Sequence, residues 1–456
     1  EAQHFHGNSY KNSISYAHPL GSGHFNQAKA TAMLETDPEY LQELDYLYNL
    51  QKYGIKFGLS QTSNLLQGLG NPHQGRRYIH IGGTNGKGSV ASFLNSILQL
   101  AGYKTGLYTS PHLVSFRERM QINSQFIPEH RVMELSRQVR QIQDPQEPPT
   151  FFEAVTAMAL AYFANENTDI DIIEVGMGGR LDATNLIQPQ ISLITNISLE
   201  HREFLGNTLH QVAREKAGII KPHTPLLTAA KQHGVRQLFA RIAQDKGSAF
   251  YQLGLDFRVR RFQDGFTYFG LQHKLKNLRT TLIGSHQMQN AALALAACEI
   301  LAQKGWDITA EHMRQGLKLA KWPGRMQLLQ DRPKIMLDGA HNPEAIKVLA
   351  KSLNPDLQFQ RLILVLGMMA DKEIEKMLGQ ILPKADYAIF TRPVYERALD
   401  PEELLSRARP WNVASHAEQS LPRALEQAQN MAQLDDLILI CGSLFTVGEA
   451  LEHLQQ

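Results

Sequence analysis

Residues 78–89 read Tyr78-Ile79-His80-Ile81-Gly82-Gly83-Thr84-Asn85-Gly86-Lys87-Gly88-Ser89, and this stretch decides the fold. Its first four residues form a short apolar run bounded by glycine, the pattern of a buried strand. Downstream, Val90, Phe93, Leu94, Ile97 and Leu98 recur at helical spacing, and Gly102 is placed to close that helix. Glycines between a strand and a helix let backbone N–H groups and the positive helix end cradle phosphates, while Lys87 neutralises them. The spacing departs from the common phosphate-loop pattern, because Gly88 stands between Lys87 and the hydroxyl of Ser89. A glycine-rich turn with an exposed lysine is the competing reading, and the strand–loop–helix context disfavours it.

Outward from this loop, residues 171–175 and 191–195 also read as buried strands, and residues 144–149 as a loop. Strands alternating with helices predict a parallel sheet covered on both faces. Around Asp264-Gly265, the flanks 257–262 and 266–268 alternate like a hairpin, so a small antiparallel patch is expected. A second α/β series has strand-like runs at 334–337, 362–366, 387–390 and 437–440, and Lys321-Trp322-Pro323-Gly324-Arg325 separates the two series. The expected domains are a flexible extension or tag over 1–34, a large phosphate-loop domain over 35–320 and a hinge over 321–326. A smaller Rossmann-like α/β domain follows over 327–456.

The 456 residues carry 46 Lys plus Arg against 44 Asp plus Glu, a net charge of +2 that gives no electrostatic reason for a nucleic-acid or anionic-membrane partner. Two cysteines, Cys298 and Cys441, make neither a zinc cluster nor a disulfide framework. The apolar runs fall short of the ~20 residues of a membrane span. A cytoplasmic enzyme is the expected class. Residues 2–34 hold no Asp or Glu and no apolar signal region, but include His4, His6, His18 and His24. Thr36 and Glu39 fit a capping box, with Tyr40, Leu41, Leu44, Leu47 and Tyr48 on one helical face behind it.

Two further strand ends carry chemistry. Glu174 closes one predicted strand and is followed by Gly176-Met177-Gly178-Gly179-Arg180. A dinucleotide fingerprint would need a third glycine at position 181, which is Leu181, so that reading is weak. Glu200-His201 follows the strand at 191–195. A carboxylate, an imidazole and hydroxyls beside a phosphate loop suit a Mg²⁺ or Mn²⁺ ion that carries nucleotide phosphates.

Taken together, the motifs resemble the folylpolyglutamate synthase/dihydrofolate synthase family, relatives of the Mur ligases, over residues 36–456. The resemblance rests on the stretch from Ile55 to Leu59, the phosphate loop, Thr109-Ser110-Pro111-His112 and EVGMGGRLDATN from Glu174. It continues through EHREFLGNT from Glu200, EKAGIIK from Glu215, WPGRMQ from Trp322, DGAHNP from Asp338 and GSLFTVG from Gly442. It implies an ATP-dependent ligase that adds L-glutamate to dihydropteroate, or to the γ-carboxyl of reduced folates, through an acyl phosphate. Gly83, Asn85, Gly86, Lys87, Gly88 and Ser89 would bind ATP, with Asn290, Arg325 and Asp338. Ser110, Glu174 and His201 match magnesium ligands, and Lys216 matches a lysine the family carbamylates near a second ion. His341 and Ser443 match positions facing glutamate, while Thr150 and Leu181 match the pterin-side pocket. A monomer acting on small molecules is the family-like expectation.

Two departures stand out. Glu200 takes the place of an Asp that often precedes the metal histidine. Residues 51–54 lack the His-Ser-Lys-Thr stretch that helps some bifunctional members hold dihydropteroate, so the resemblance implies ligase chemistry more strongly than dihydrofolate synthase activity. A Mur-type ligase is the nearest competitor; those enzymes carry Thr after the loop lysine and an extra domain before the loop. This chain reads Lys-Gly-Ser, with few ordered residues expected ahead of it.

Overall fold

A computed structural model describes residues 37–54, 56, 58–262 and 265–455, without the side chains of 354–356. The expected extension over 1–34, Thr36, Ile55, Phe57 and the turn residue Asp264 lie outside the described residues. Strands β1 (Tyr78–Gly82), β2 (Thr105–Tyr108), β3 (Met120–Ile122), β4 (Gln125–Phe126), β5 (Ile170–Glu174), β6 (Ile191–Ile194), β7 (Leu226–Thr228) and β8 (Phe250–Gln252) form one sheet. Its order is β4-β3-β2-β5-β1-β6-β7-β8. Neighbours from β2 to β8 run parallel, and β3 and β4 add an antiparallel edge.

Every residue of β1, β5 and β6 is buried, as helices on both faces require, which is why these strands are mostly apolar, with His80, Asp171, Glu174 and Ser192 as the polar exceptions. Ile79, Ile81, Ile172 and Leu193 share one core with the helices Lys87–Leu100, Ser285–Gln303 and Ala310–Leu319. Tyr78, Tyr108 and Ile173 pack on the opposite face with Pro38–Asn49, Ser60–Gly68, Glu129–Ile142 and Phe151–Asn165.

The antiparallel patch has three strands, β9 (Arg258–Phe262), β10 (Gly265–Phe269) and β11 (Lys274–Leu278). Phe266, Tyr268, Leu275 and Leu278 pack into the core beside Ser285–Gln303. Fully buried Glu299 of that helix accepts from Tyr268 Oη at 2.8 Å and from the N–H groups of Leu271 and His273, which pins the β10–β11 loop to it.

The second sheet contains β12 (Gln327–Asp331), β13 (Lys334–Asp338), β14 (Leu362–Leu366), β15 (Tyr387–Phe390), β16 (Ser415–Ala417) and β17 (Leu437–Cys441), in the order β12-β13-β17-β14-β15-β16. It is parallel except for β12. The molecule is thus α/β, with a large parallel sheet, an antiparallel patch and a smaller second sheet. Among the described residues no helix is long and apolar enough to cross a membrane.

The first helix corrects a local expectation. Its N-cap is Asp37, one residue after the cap expected from the sequence, and the Asp37 carboxylate accepts from Glu39 N–H at 2.8 Å. Glu43 on the same helix is buried because Ser136 Oγ donates to it at 2.7 Å and Arg140 pairs with it at 2.6 Å.

Candidate active site

The phosphate loop is built by its strand, its helix and the end of β6. Ile81 pairs with Glu174, and Gly82 with Ile194, so three strand ends meet at one lip of the sheet. At Gly83, φ is +131° and a Cβ would stand 2.0 Å from Thr195 Oγ1; at Gly86, φ is +88° and a Cβ would stand 2.6 Å from Asn290 Oδ1. Only glycine gives both the dihedral and the space. Thr84 N–H donates to the Asn196 carbonyl at 2.9 Å, and Thr84 Oγ1 accepts from Ser198 N–H at 3.1 Å. The loop is therefore held in shape from the neighbouring strand end, and it opens the helix Lys87–Leu100.

Lys87 Nζ donates to the carbonyls of Gly83 at 3.1 Å and Thr84 at 3.2 Å, and lies 3.8 Å from Glu174. Burial pushes the Glu174 carboxyl above its ordinary range, and Lys87 opposes that rise. Glu174 also accepts a long bond of 3.4 Å from Ser110 N–H. Lys216 is fully buried; its Nζ donates to Glu200 at 2.5 Å and to the Gly83 carbonyl at 3.0 Å. Burial holds the Lys216 ammonium below its usual range, against the pull of Glu200. Burial raises the Glu200 carboxyl in turn, but Lys216 and Lys87 overcome this and leave it below the ordinary carboxylate value.

The second sheet supplies the opposite wall. Asp338, at the end of β13, accepts from Met326 N–H and Ala340 N–H, each at 2.9 Å. Burial raises its carboxyl, and Arg325 opposes the rise. His341 Nδ1 lies 2.8 Å from the Gly339 carbonyl, so Nδ1 carries the proton and Nε2 is left as an acceptor. Burial pushes this imidazole down to about 4.

These groups share one cavity of about 750 Å³. It is lined by residues 84–89, Ser110, Glu174, His201, Asn290, Arg325, Asp338 and His341, so most of the expected site is brought together across the two sheets. Gly83 and Lys216 sit just beneath, bonded to each other. Thr150, Leu181 and Ser443 do not line this cavity. Thr150 is the N-cap of Phe151–Asn165 in a capping box with Glu153, and Ser443 caps Leu444–Leu454 with its hydroxyl on Thr446. Sequence reasoning missed Thr195 and Asn196, which hold the loop. Their only signal is that polar residues follow directly after an apolar strand.

Among the described residues, no three His, Cys, Asp or Glu side chains gather where they could hold a metal ion. Of the groups lining the cavity, the Glu174 carboxylate, the Ser110 hydroxyl and the His201 imidazole are the ones the sequence singled out as ligands. Such sparse ligation fits a hard divalent ion that keeps water and takes phosphate oxygens as its remaining ligands.

Comparison with known proteins adds to this geometry. Residues 81–298 match the Mur ligase middle domain, and residues 324–444 match the Mur ligase glutamate ligase domain. A Bacillus subtilis protein named dihydrofolate synthase/folylpolyglutamate synthase is 33% identical over 429 residues, covering 91% of this chain and 99% of that one. A probable bifunctional folylpolyglutamate synthase/dihydropteroate synthase of Haloferax volcanii is 34% identical, but the chain spans only 50% of its length. Among solved structures, Escherichia coli FolC in complex with DHPP and ADP superposes with a TM-score of 0.85 at 31% identity, covering 92% of this chain and 99% of that one. Folylpolyglutamate synthase of Thermotoga maritima gives 0.81 at 36% identity, covering 91% and 97%.

Proposed function

The chain belongs to the folylpolyglutamate synthase/dihydrofolate synthase family of the Mur ligase superfamily, and from that membership we infer that its cleft joins L-glutamate to folates at the expense of ATP. It is an ATP-dependent acid–amino-acid ligase. The observation that carries this reading is that a phosphate loop with its lysine and a buried carboxylate open onto the same cavity as Arg325, Asp338 and His341 of the second sheet.

Amide formation needs a better leaving group than oxide. In this reading the terminal phosphoryl group of ATP passes to the folate-side carboxylate, giving an acyl phosphate; the glutamate α-amine attacks, and phosphate leaves. The protein's part is positioning and charge neutralisation. Lys87 and the loop N–H groups hold the phosphates, with Asn290, Arg325 and Asp338 completing the nucleotide site from the other side. Ser110, Glu174 and His201 would hold Mg²⁺, which when bound supplies positive charge to the phosphate oxygens. His341, neutral at physiological pH, offers Nε2 to the incoming amine, and Ser443 would face glutamate from the same sheet. Thr150 and Leu181 would border the pterin side.

Lys216 would be carbamylated. Its lowered basicity favours the neutral amine, whose lone pair attacks CO₂ and which releases a proton to solvent as the carbamate forms, but the product would set two anions side by side, so a second Mg²⁺ belongs to the same proposal. We place the domain boundary at the 321–326 hinge. We propose a cytoplasmic monomer with no nucleic-acid or membrane partner, which the near-zero net charge of +2 and the buried thiols of Cys298 and Cys441 support.

We further propose that both activities of the family reside here, with glutamate added to dihydropteroate and to reduced folates. The test is ADP release with Mg²⁺, ATP and L-glutamate, with dihydropteroate or tetrahydrofolate as parallel acceptors. Turnover with both is the expected result. Turnover with tetrahydrofolate alone would restrict the chain to polyglutamylation and would trace to residues 51–54. Turnover with neither would overturn the reading.

A further inference from the structure

Asn85, inside the phosphate loop, is bonded on two sides. Its backbone N–H donates to Asn196 Oδ1 at 2.9 Å, and its carbonyl accepts from Thr195 Oγ1 at 2.7 Å, which ties it to the end of β6. Its side chain reaches the other way, across the cleft. Asn342 Nδ2 donates to Asn85 Oδ1 at 3.0 Å, and Asn85 Nδ2 donates to Asn342 Oδ1 at 3.4 Å. Asn342 is also the N-cap of the helix Pro343–Asp356, accepting from Ala345 N–H at 2.9 Å. Pro343, Glu344 and Ala345 line the cavity. The amide pair therefore joins the N-terminal end of one helix, where the phosphate loop is, to the N-terminal end of another in the second domain.

We propose that Asn342 is a positioning residue for phosphoryl transfer: the Asn85–Asn342 amide pair latches the second domain onto the phosphate loop, so that loop geometry and cleft closure are set together. This rests on the ligase reading. The chemistry suits a latch. Both partners are neutral, so they do not compete with phosphate for Lys87 or Arg325, and both can bond water when the cleft opens. Two neutral hydrogen bonds, net of those exchanged with water, bias a closure equilibrium by about ten-fold, enough to favour closure without trapping product. Because the Asn85 backbone is already committed to β6, its side chain is the part free to sense the second domain.

The test compares Asn342→Ser and Asn342→Asp with wild type. Serine keeps the helix cap but is too short to reach Asn85. Its kcat should fall about ten-fold and the Kd of a non-hydrolysable ATP analogue should rise by up to about the same factor, because closure and nucleotide binding are linked, while Tm is unchanged. Aspartate keeps the cap and can accept from Asn85 Nδ2, so it should recover part of kcat. Analogue-induced compaction, followed by small-angle X-ray scattering, should be weaker in Asn342→Ser than in wild type. Wild-type kcat in Asn342→Ser would overturn the latch, and so would a loss that follows Tm and is not restored by aspartate. If wild type turned over no acceptor, the ligase reading would fail, while the difference in compaction would still decide the latch.

Discussion

Glu174 ends β5 in the first sheet and Asp338 ends β13 in the second, so both carboxylates stand at the C-terminal lip of a parallel strand. Both are buried, burial raises both, and each has an opposing cation beside it, Lys87 or Arg325. Hydrogen bonding separates them. Asp338 has a backbone N–H on each oxygen, from Met326 and Ala340, which ties Met326 to the end of β13 and leaves fewer acceptor sites open. Glu174 has one long bond from Ser110 and keeps lone pairs toward the cavity. A strand-end carboxylate is thus available to a ligand to the extent that the fold leaves its acceptors unfilled, and position alone does not reveal which kind it is.

The largest expected effect removes the cation on the Glu174 side. Lys87→Ala should cut ligase turnover by about 10³-fold while circular dichroism and Tm stay near wild type. Retained turnover in a folded variant would remove Lys87 from the phosphate site. Glu174→Gln should cost about 10²-fold in turnover and flatten the magnesium dependence, yet leave Tm equal or higher, because an under-paired buried carboxylate is gone. An unchanged magnesium titration would mean that Glu174 is not a ligand, and would make the two carboxylates alike. Asp338→Ala should do the reverse in stability, losing about 2 kcal/mol as two buried N–H groups lose their acceptor. A urea titration showing no loss would break the comparison from the other side.

A pH effect separates the first sheet. His80 lies fully buried in β1 with Nε2 2.8 Å from Thr184 Oγ1, and burial pushes its imidazole from 6.5 down to about 3. Because the folded value is the lower one, the native state binds fewer protons. Stability is therefore complete above pH 6.5 and is lost as pH falls toward 3. The urea midpoint should drop on acidification, with His80 contributing about 1.4 kcal/mol per pH unit within that window. His80→Gln should flatten this limb; an equal slope in both proteins would assign the loss to other groups.

Much of this was legible in the chain. The central strands announce themselves because burial on both faces makes them mostly apolar, and the phosphate loop because glycine and lysine stand between a strand and a helix. The edge strands β3, β4 and β12 carry no such pattern, since a half-solvated edge accepts almost any residue. Glu43 and Glu299 are buried only because Ser136, Arg140 and the β10–β11 loop, remote in the chain, supply their partners. Thr150 entered only through the family resemblance, and the structure commits its hydroxyl to the helix end in a capping box with Glu153.

By itself the sequence determined the local devices: the strands, the loop that can cradle phosphate, and the order of residue types that marks the family. Those depend on backbone preference and nearest-neighbour spacing, which a linear string records. Only the tertiary structure decided which polar groups are spent and which remain open. Asn85 meets Asn342 across 257 positions of chain, Lys216 meets Gly83 across 133, and Glu174 is left with spare acceptors. Hydrogen-bond satisfaction is a property of distances between remote segments, and those distances exist only once the two sheets have packed around the cleft.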